Sequence, residues 1–370
     1  MQRSGLYKFH KQHGAKLVEF AGWEMPIMYR SIREEHRSTR HHGAVFDVSH
    51  MGRLQISGKH ARRLLERVLT RRVSDMKENT CRYSLICNGQ GGTLDDVIVY
   101  RRQGDWLLVV NAVNREKIVR HLEVHADDGR VNVVDQTKDS VMVALQGPKV
   151  IDLLGQVIPE MPAMKRYHFC VKQVLPSASL TISRTGYTGE DGVEVILAVN
   201  LAHMVAGLLL NPSEPVDSTR FKLIPAGLGA RDTLRIEAGL PLYGHELDEQ
   251  TDPYSAGLEF AVSLHKDEQD NGVPFVGQAA LKQIVADGPK RRRIGLKLDG
   301  RRTARQGMAV NVGNRRVGTV TSGCLSPTLD VPIAMAFVKA EAVARPSLQI
   351  DLGSRCVDAQ VTDLPFYKRH

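Results

Sequence analysis

The sequence predicts an α+β fold whose C-terminal portion is all-β, and three observations carry that expectation. The chain has 370 residues, beyond the roughly 250–300 at which one hydrophobic core stops growing, so two or three domains are expected. Up to about residue 288 strands and helices alternate irregularly, unlike the steady alternation of a doubly wound parallel sheet. After Gly288-Pro289-Lys290 the texture changes to short strands separated by turn residues, the pattern of a small β domain.

The elements follow in order. Glu34 to His42 reads as helix, and so does Gly58 to Leu69, where Ala61, Leu64, Leu65 and Val68 fall at helical spacing. CRYSLICN and TLDDVIVY read as strands joined across Gly89-Gln90-Gly91-Gly92, a hairpin signal. DWLLVVNA is a strand leading into the helical REKIVRHLEVHA. VMVALQGP is a buried strand ending at Gly147-Pro148, with helix KVIDLLGQV beyond it. SLTISRTGYTGEDGVEVILA reads as two strands around a Gly-rich connector. AGLGARDTLRIEAGL has a 3.6-residue apolar period, with Gly239 placed as a C-terminal cap before Pro241. Beyond the boundary, RRIGLKLDG, MAVNVGNRRVGTVTSG, IAMAFVKA, SLQIDLG and VDAQVTDLPFY are the expected β strands.

Composition narrows the class. Hydrophobic residues make up 42%, charged residues 25% and aromatics 5%, ordinary values for a globular chain. No apolar stretch approaches the roughly 20 residues of a membrane-spanning helix, and the first twenty residues lack the apolar core of a secretory signal. Cys81, Cys87, Cys170, Cys324 and Cys356 are odd in number and never spaced C-x-x-C, which points to free thiols in a reducing compartment. A cytoplasmic location is the expectation. The formal net charge is +9, and the stretch Lys290–Arg316 holds ten basic residues against Asp299 alone. Such a run suits an anionic ligand or acidic partner, or equally a solvated face of edge strands.

Three strings could carry chemistry. TLDDVIVY sets Asp95 and Asp96 side by side at the mouth of an apolar strand. Alternation puts Leu94, Asp96, Ile98 and Tyr100 on one face and Asp95, Val97 and Val99 on the other. One acid is then expected to serve the preceding turn and the other to point into a site, without the pattern choosing between them. GYTGEDGVEV (186–195) is no phosphate cradle, because Glu190, Asp191 and Glu194 would repel phosphate. It suits a ligand that presents N–H donors, with Tyr187 able to stack on a ring and Glu194 facing away from Val193 and Val195. ARDTLRIEAG sets Arg231 and Arg235 one turn apart, either as surface ion pairs or as a cation for a carboxylate. No H-E-x-x-H, G-x-S-x-G or Walker lysine is present, so no metal or nucleotide is expected.

The segments in series carry a resemblance. FAGWEMPIMY (20–29), VFDVSHMG (45–52), NGQGGTLDDVIVY (88–100), VVNAVNREK (109–117), ALQGP (144–148), GYTGEDGVE (186–194), GARDTLRIEAGLPLYGHELDE (229–249) and VGTVTSGCLSPTL (317–329) occur in this order. The set resembles the aminomethyltransferase, or T-protein, family of the glycine cleavage system, from about residue 6 to the closing PFYKR. The resemblance implies three domains in a cloverleaf around a central tetrahydrofolate site. The corresponding division is 1–52 with 137–230, 53–136 with part of 231–287, and 288–370. It also implies transfer of a methylene group from the aminomethyl-lipoyl arm of the H-protein to tetrahydrofolate, with release of ammonia and without a metal. On the family's motifs the essential aspartate falls on Asp96, the pterin-facing glutamate on Glu194, and further folate contacts on Tyr187, Arg231, Tyr83, Asn111 and Arg369. Asp95 is then left to the turn. The partners implied are folate and the lipoylated carrier, not nucleic acid or membrane, and the basic run could dock the carrier or attract polyglutamylated folate. Phe260 stands where the family usually has tryptophan, and the loop HKDEQDNGVPFVG carries extra polar residues; both are expected to affect local packing only.

Related readings compete. The same fold serves folate-dependent demethylases of sulfonium or N-methyl substrates, and LPLYGHELDE favours the aminomethyl carrier over these. Folate-binding accessory proteins of iron–sulfur assembly carry a K-G-C-(F/Y)-x-G-Q-E string that this chain lacks. A nucleic-acid-binding β domain would want aromatics interleaved with the basic run, and there are none.

Overall fold

In the computed structural model, residues 1–126, 129–175, 178–203, 207, 223–268, 272–353 and 355–369 are described. Residues 269–271 of the polar loop lie outside them. A six-stranded sheet runs in the order Phe169–Leu175, Ala178–Ser183, Gly192–Ala198, Ser140–Gln146, Ala44–Asp47 and Ile224–Ala226. A five-stranded antiparallel sheet runs Thr80–Cys87, Thr93–Arg101, Trp106–Val110, Gly52–Ser57 and Asn132–Asp135. Three N-terminal strands, Gln2–Arg3, Trp23–Met28 and Lys16–Phe20, form a small sheet of their own.

The C-terminal portion closes into a six-stranded antiparallel barrel, in the order Arg291–Leu298, Pro332–Lys339, Arg315–Leu325, Ala309–Val312, Ser347–Asp351 and Cys356–Thr362. Closure removes the sheet edges. Leu296, Val310, Val320, Ala336 and Ile350 fill its interior.

The helices expected from the sequence are found. Ile32–His41 starts at Ser31, whose hydroxyl accepts the Glu34 N–H at 3.2 Å, an N-cap. Ala61–Val68 buries the expected stripe of Ala61, Leu64, Leu65 and Val68. Leu228–Glu237 ends as expected at Gly239, whose φ of +64° glycine adopts without strain. Its other end approaches Trp23–Met28 so closely that a Cβ on Gly227 would lie 2.3 Å from the Ile27 carbonyl carbon. Helix Gln278–Asp287 buries Leu281 as its one apolar side chain, so no amphipathic stripe announces it. Among the described residues no helix is long and apolar enough to cross a membrane.

The two larger sheets face each other across a shared core of Phe46, Tyr100, Leu107, Val109, Met142 and Leu234. On the far side of the five-stranded sheet, Leu54, Leu65, Val97, Val99 and Leu108 pack under the helices. The strand Thr93–Arg101 departs from simple alternation. Cys87 pairs with Thr93 but Ile86 pairs with Asp95, so Leu94 is an extra residue in a β-bulge. Leu94 therefore packs with Val97 and Val99, not with Ile98 and Tyr100 as strict alternation predicts.

The basic run is not one solvated face. Arg293 turns inward, donating to the carbonyls of Gly239 (2.7 Å) and Ala256 (2.8 Å). Arg291 donates to Thr251 Oγ1 at 2.7 Å and lies over the Phe337 ring. Arg301, Arg302, Arg305, Arg315 and Arg316 are exposed.

Candidate active site

A cavity of about 860 Å³ opens where the core between the two larger sheets gives way, and the barrel and the 240–260 segment complete its wall. Ile27, Ile98, Val109, Met142 and Leu258 make much of that wall apolar, and Tyr83, Tyr187 and Phe260 offer rings. Asp96, Asn111, Glu194 and Arg231 line it as well. The structure thus brings together six of the seven expected site residues. Arg369 is not among the lining residues; its guanidinium pairs with Asp191 at 3.1 Å, beside Arg184.

Asp96 is positioned by the strand after the bulge, on the face it shares with Ile98. Tyr83, on the neighbouring strand, donates its hydroxyl to Asp96 Oδ2 at 3.0 Å. Asn111, at the end of Trp106–Val110, donates Nδ2–H to Asp96 Oδ1 at 2.7 Å. Burial pushes the Asp96 carboxyl above the ordinary carboxylate range, and these two donors oppose but do not cancel the rise. Burial and the Asp96 charge drive the Tyr83 phenol up, so it stays a donor.

Asp95 does not serve the turn. Its side chain is fully buried, and Oδ1 accepts Asn111 Nδ2–H (2.8 Å) and Asn114 Nδ2–H (2.6 Å) while Oδ2 accepts the Asn111 backbone N–H (3.0 Å). Asn88 holds the turn instead: its Oδ1 accepts the N–H of Gln90 and Gly92, both at 3.0 Å, and its Nδ2 donates to the Glu249 carbonyl. Local sequence favoured an aspartate for that work, but an asparagine supplies both acceptor and donor. Asn88→Ala is expected to cost about 1–2 kcal/mol in urea unfolding, the scale of lost hydrogen bonds at a partly wet turn.

Glu194 sits centrally in its sheet, paired with Ala144 and Ser183. Val193, Val195 and Leu197 face the outer core, which turns Glu194 toward the cavity as alternation requires. Thr185 donates to its Oε2 at 2.6 Å. Tyr187 gives its hydroxyl to the Pro241 carbonyl, which leaves the ring face as its contribution. Arg231, in the first turn of Leu228–Glu237, lies 4.7 Å over that ring. Its Nη1 is buried with no hydrogen-bond partner in the protein, so the cavity holds a donor awaiting an acceptor.

Arg235 is structural. Nearly fully buried, it donates to Glu246 (2.8 Å), Asp232 (2.9 Å) and Ser322 Oγ (2.7 Å), tying helix to barrel. Sequence reasoning did not single out Asn114, His50 or Phe260 as site residues. Asn114 had a signal in its N-x-x-N spacing with Asn111 after a buried strand. His50 lines the cavity, and burial, then the Arg231 charge, pulls its pKa down to about 3, leaving a neutral imidazole. Phe260 touches a site residue after all: its ring stacks on Tyr83 with centroids 6.0 Å apart and planes at 23°. The side chain at this position therefore reaches the cavity, and its effect is more than local packing.

Two family models match this chain: the GCVT N-terminal domain over residues 6–266 and the glycine cleavage T-protein C-terminal barrel domain over 291–368. The chain belongs to the glycine cleavage T-protein family. Among curated relatives, a protein named aminomethyltransferase from Rubrobacter xylanophilus is 44% identical over 370 residues, covering 100% of this chain and 95% of the relative. One of the same name from Geobacillus kaustophilus is 37% identical over 372 residues, covering 100% and 99%. The crystal structure of glycine cleavage system aminomethyltransferase T from Bartonella henselae superposes with a TM-score of 0.90 at 32% identity, covering 100% of this chain and 99% of that one. The expected fold class, α+β with an all-β C-terminal domain, is borne out, that domain being the closed six-stranded antiparallel barrel.

Proposed function

We propose that the cavity binds tetrahydrofolate and receives the aminomethyl group of a lipoyl carrier, so that the chain transfers a methylene group and releases ammonia. Aminomethyltransferase activity follows from the full-length relatives of that name and both family models. The folate and the carrier are the reading of the cavity. One observation carries it: a buried carboxylate, Glu194, and an Arg231 guanidinium with one buried nitrogen left without a partner share a largely apolar space with aromatic faces. A pterin offers N–H donors, an acceptor oxygen and a flat ring, which is the complementary set. Three folding units, 1–52 with 137–230, 53–136 with part of 231–287, and 288–370, are part of the same proposal. It is supported by the way the six-stranded sheet, the five-stranded sheet and the barrel fall in these ranges to within a residue.

Proton traffic assigns Asp96 its part. The conversion takes one proton from each of two folate nitrogens and leaves one on the carrier sulfur and one on the departing ammonia. A carboxylate whose pKa lies above the ordinary range can accept such a proton and return it. Tyr83 and Asn111 hold Asp96 in a single orientation, and Arg231 and Glu194 would orient the ring. The deciding experiment is ammonia release from aminomethyl-dihydrolipoyl carrier with and without tetrahydrofolate. Folate-dependent release is expected; none, with folate still bound, would move the chain to another donor.

Arg231→Met keeps the stem over Tyr187 and removes the orphan donor. Tetrahydrofolate affinity is expected to fall about 10- to 100-fold by calorimetry, the worth of a hydrogen bond to a charged group. An unchanged affinity would take Arg231 out of the folate contacts.

A further inference from the structure

We propose that Asp95 is a positioning residue of this site, acting on Asp96 through the Asn111 side chain that the two carboxylates share. The proposal rests on the aminomethyl-transfer reading for its purpose, but its geometry stands alone. Asn111 Nδ2 has two hydrogens and three acceptors within reach: Asp95 Oδ1 at 2.8 Å, Asp96 Oδ1 at 2.7 Å and the Asp96 carbonyl at 3.1 Å. The adjacent acids point to opposite faces of a strand, yet one amide bridges them. Its orientation is set from the Asp95 side, because Asp95 also holds the Asn111 backbone N–H and the Asn114 amide.

A buried strand position ordinarily takes Val or Ile, and an acid there is costly unless satisfied. Asp95 is satisfied solely as an acceptor: each of its three partners is an N–H donor. Those donors favour the ionised form, but burial and the Asp96 charge outweigh them and hold the Asp95 carboxyl above the ordinary range. Tyr83 and Tyr187 face Asp96, Arg293 faces Tyr83, and Tyr243, with Lys117 on its hydroxyl, faces Asp95. None of these is a carboxylate; Glu249, which also acts on Tyr243, is paired with Lys117 at 2.9 Å. Burial, and the Asp96 charge at Asp95, push both carboxyls above the ordinary range. The pair therefore gives up its last proton late. Asp95 so does two things: it aims the amide donor at Asp96, and it shares with Asp96 a proton that the pair gives up late.

The test is an aspartate carboxyl-carbon NMR titration of the free protein, with Asp96→Asn to assign the site. In Asp95→Asn the pair is reduced to one carboxyl, and the late step of the titration is expected to move down by about one pH unit. In Asn114→Ala, Asp95 keeps its carboxyl but loses a donor, so the last proton is held more tightly and the late step of the titration is expected to move up. In activity, Asp95→Asn is expected to lower kcat about 10-fold or more with the tetrahydrofolate KM changed only a few-fold. Asn114→Ala keeps the proposal testable should Asp95→Asn fail to fold. An Asp96 titration that stays put in the variants that fold would overturn the proposal. So would losses of kcat and folate affinity in equal measure, since a merely structural residue does that. If the wild-type protein releases no ammonia, the functional reading fails while the titration still decides this one.

Discussion

Asp96→Asn is expected to lower folate-dependent ammonia release by about 10²- to 10⁴-fold, the range for removing a positioned general acid–base group. The amide fits the same space. Its oxygen still accepts from Asn111, and its NH₂ can donate to the Tyr83 hydroxyl, which also accepts. Fold and folate affinity should therefore survive, and the loss should lie in kcat. The pH profile gives the sign. Asp96 acts as a carboxylate, and its folded pKa lies above the ordinary range. Wild-type activity should thus rise with pH through a limb placed higher than a free aspartate would give, and the variant should lack that limb. Single-turnover ammonia release across pH measures both. A variant with the wild-type rate would remove Asp96 from the proton path.

Glu237→Gln is expected to destabilise the protein by about 3–5 kcal/mol, the scale for breaking a buried ion pair from one side. Glu237 Oε2 accepts from Arg40 Nη2 (2.8 Å) and Nε (3.1 Å) and from Thr328 Oγ1 (2.8 Å), while Oε1 accepts from Ser326 Oγ (2.5 Å) and the Thr328 N–H (3.0 Å). His36 Nε2 lies 3.1 Å away. One carboxylate so joins helix Ile32–His41, helix Leu228–Glu237 and the barrel loop at 326–328. Burial by itself would raise its pKa, but the His36 hydrogen bond, the Arg40 charge and Ser326 overcome that and hold it at about 2. A folded pKa below the unfolded value, about 4.3, contributes stability that is present above the unfolded value. That stability is lost as pH falls from about 4 through about 2. Urea unfolding at pH 7 and pH 3 should show a smaller gap between wild type and variant at the lower pH. An equal gap at both would mean that the carboxylate's charge is not what holds the joint.

Periodicity and capping are local, and what depends on them was legible in the sequence. The stripe Ala61-Leu64-Leu65-Val68, the cap at Gly239 and the strands of the barrel could be read because each records a burial pattern within ten residues of chain. Glu194 was legible for the same reason, as an acid between two buried valines. The choice between Asp95 and Asp96 was not, because both faces of that strand are apolar; the resemblance pointed to Asp96, and the structure gives that carboxyl the partners Tyr83 and Asn111.

Tertiary structure alone decided the rest. The bulge at Leu94 depends on how Thr80–Cys87 pairs with its neighbour, and pairing register is a property of two strands. The partners of Asp95 lie sixteen and nineteen residues away, so nothing near it in the chain says that it bonds Asn111 and Asn114. Arg293 reads as surface charge in a run of basic residues and turns inward only because the 239–256 segment packs against the barrel. Local sequence determined which segments are helices and strands and which acids have no solvent-facing excuse. Which of those acids share one amide was fixed by packing between segments far apart in the chain, because a hydrogen bond is set by distance in space.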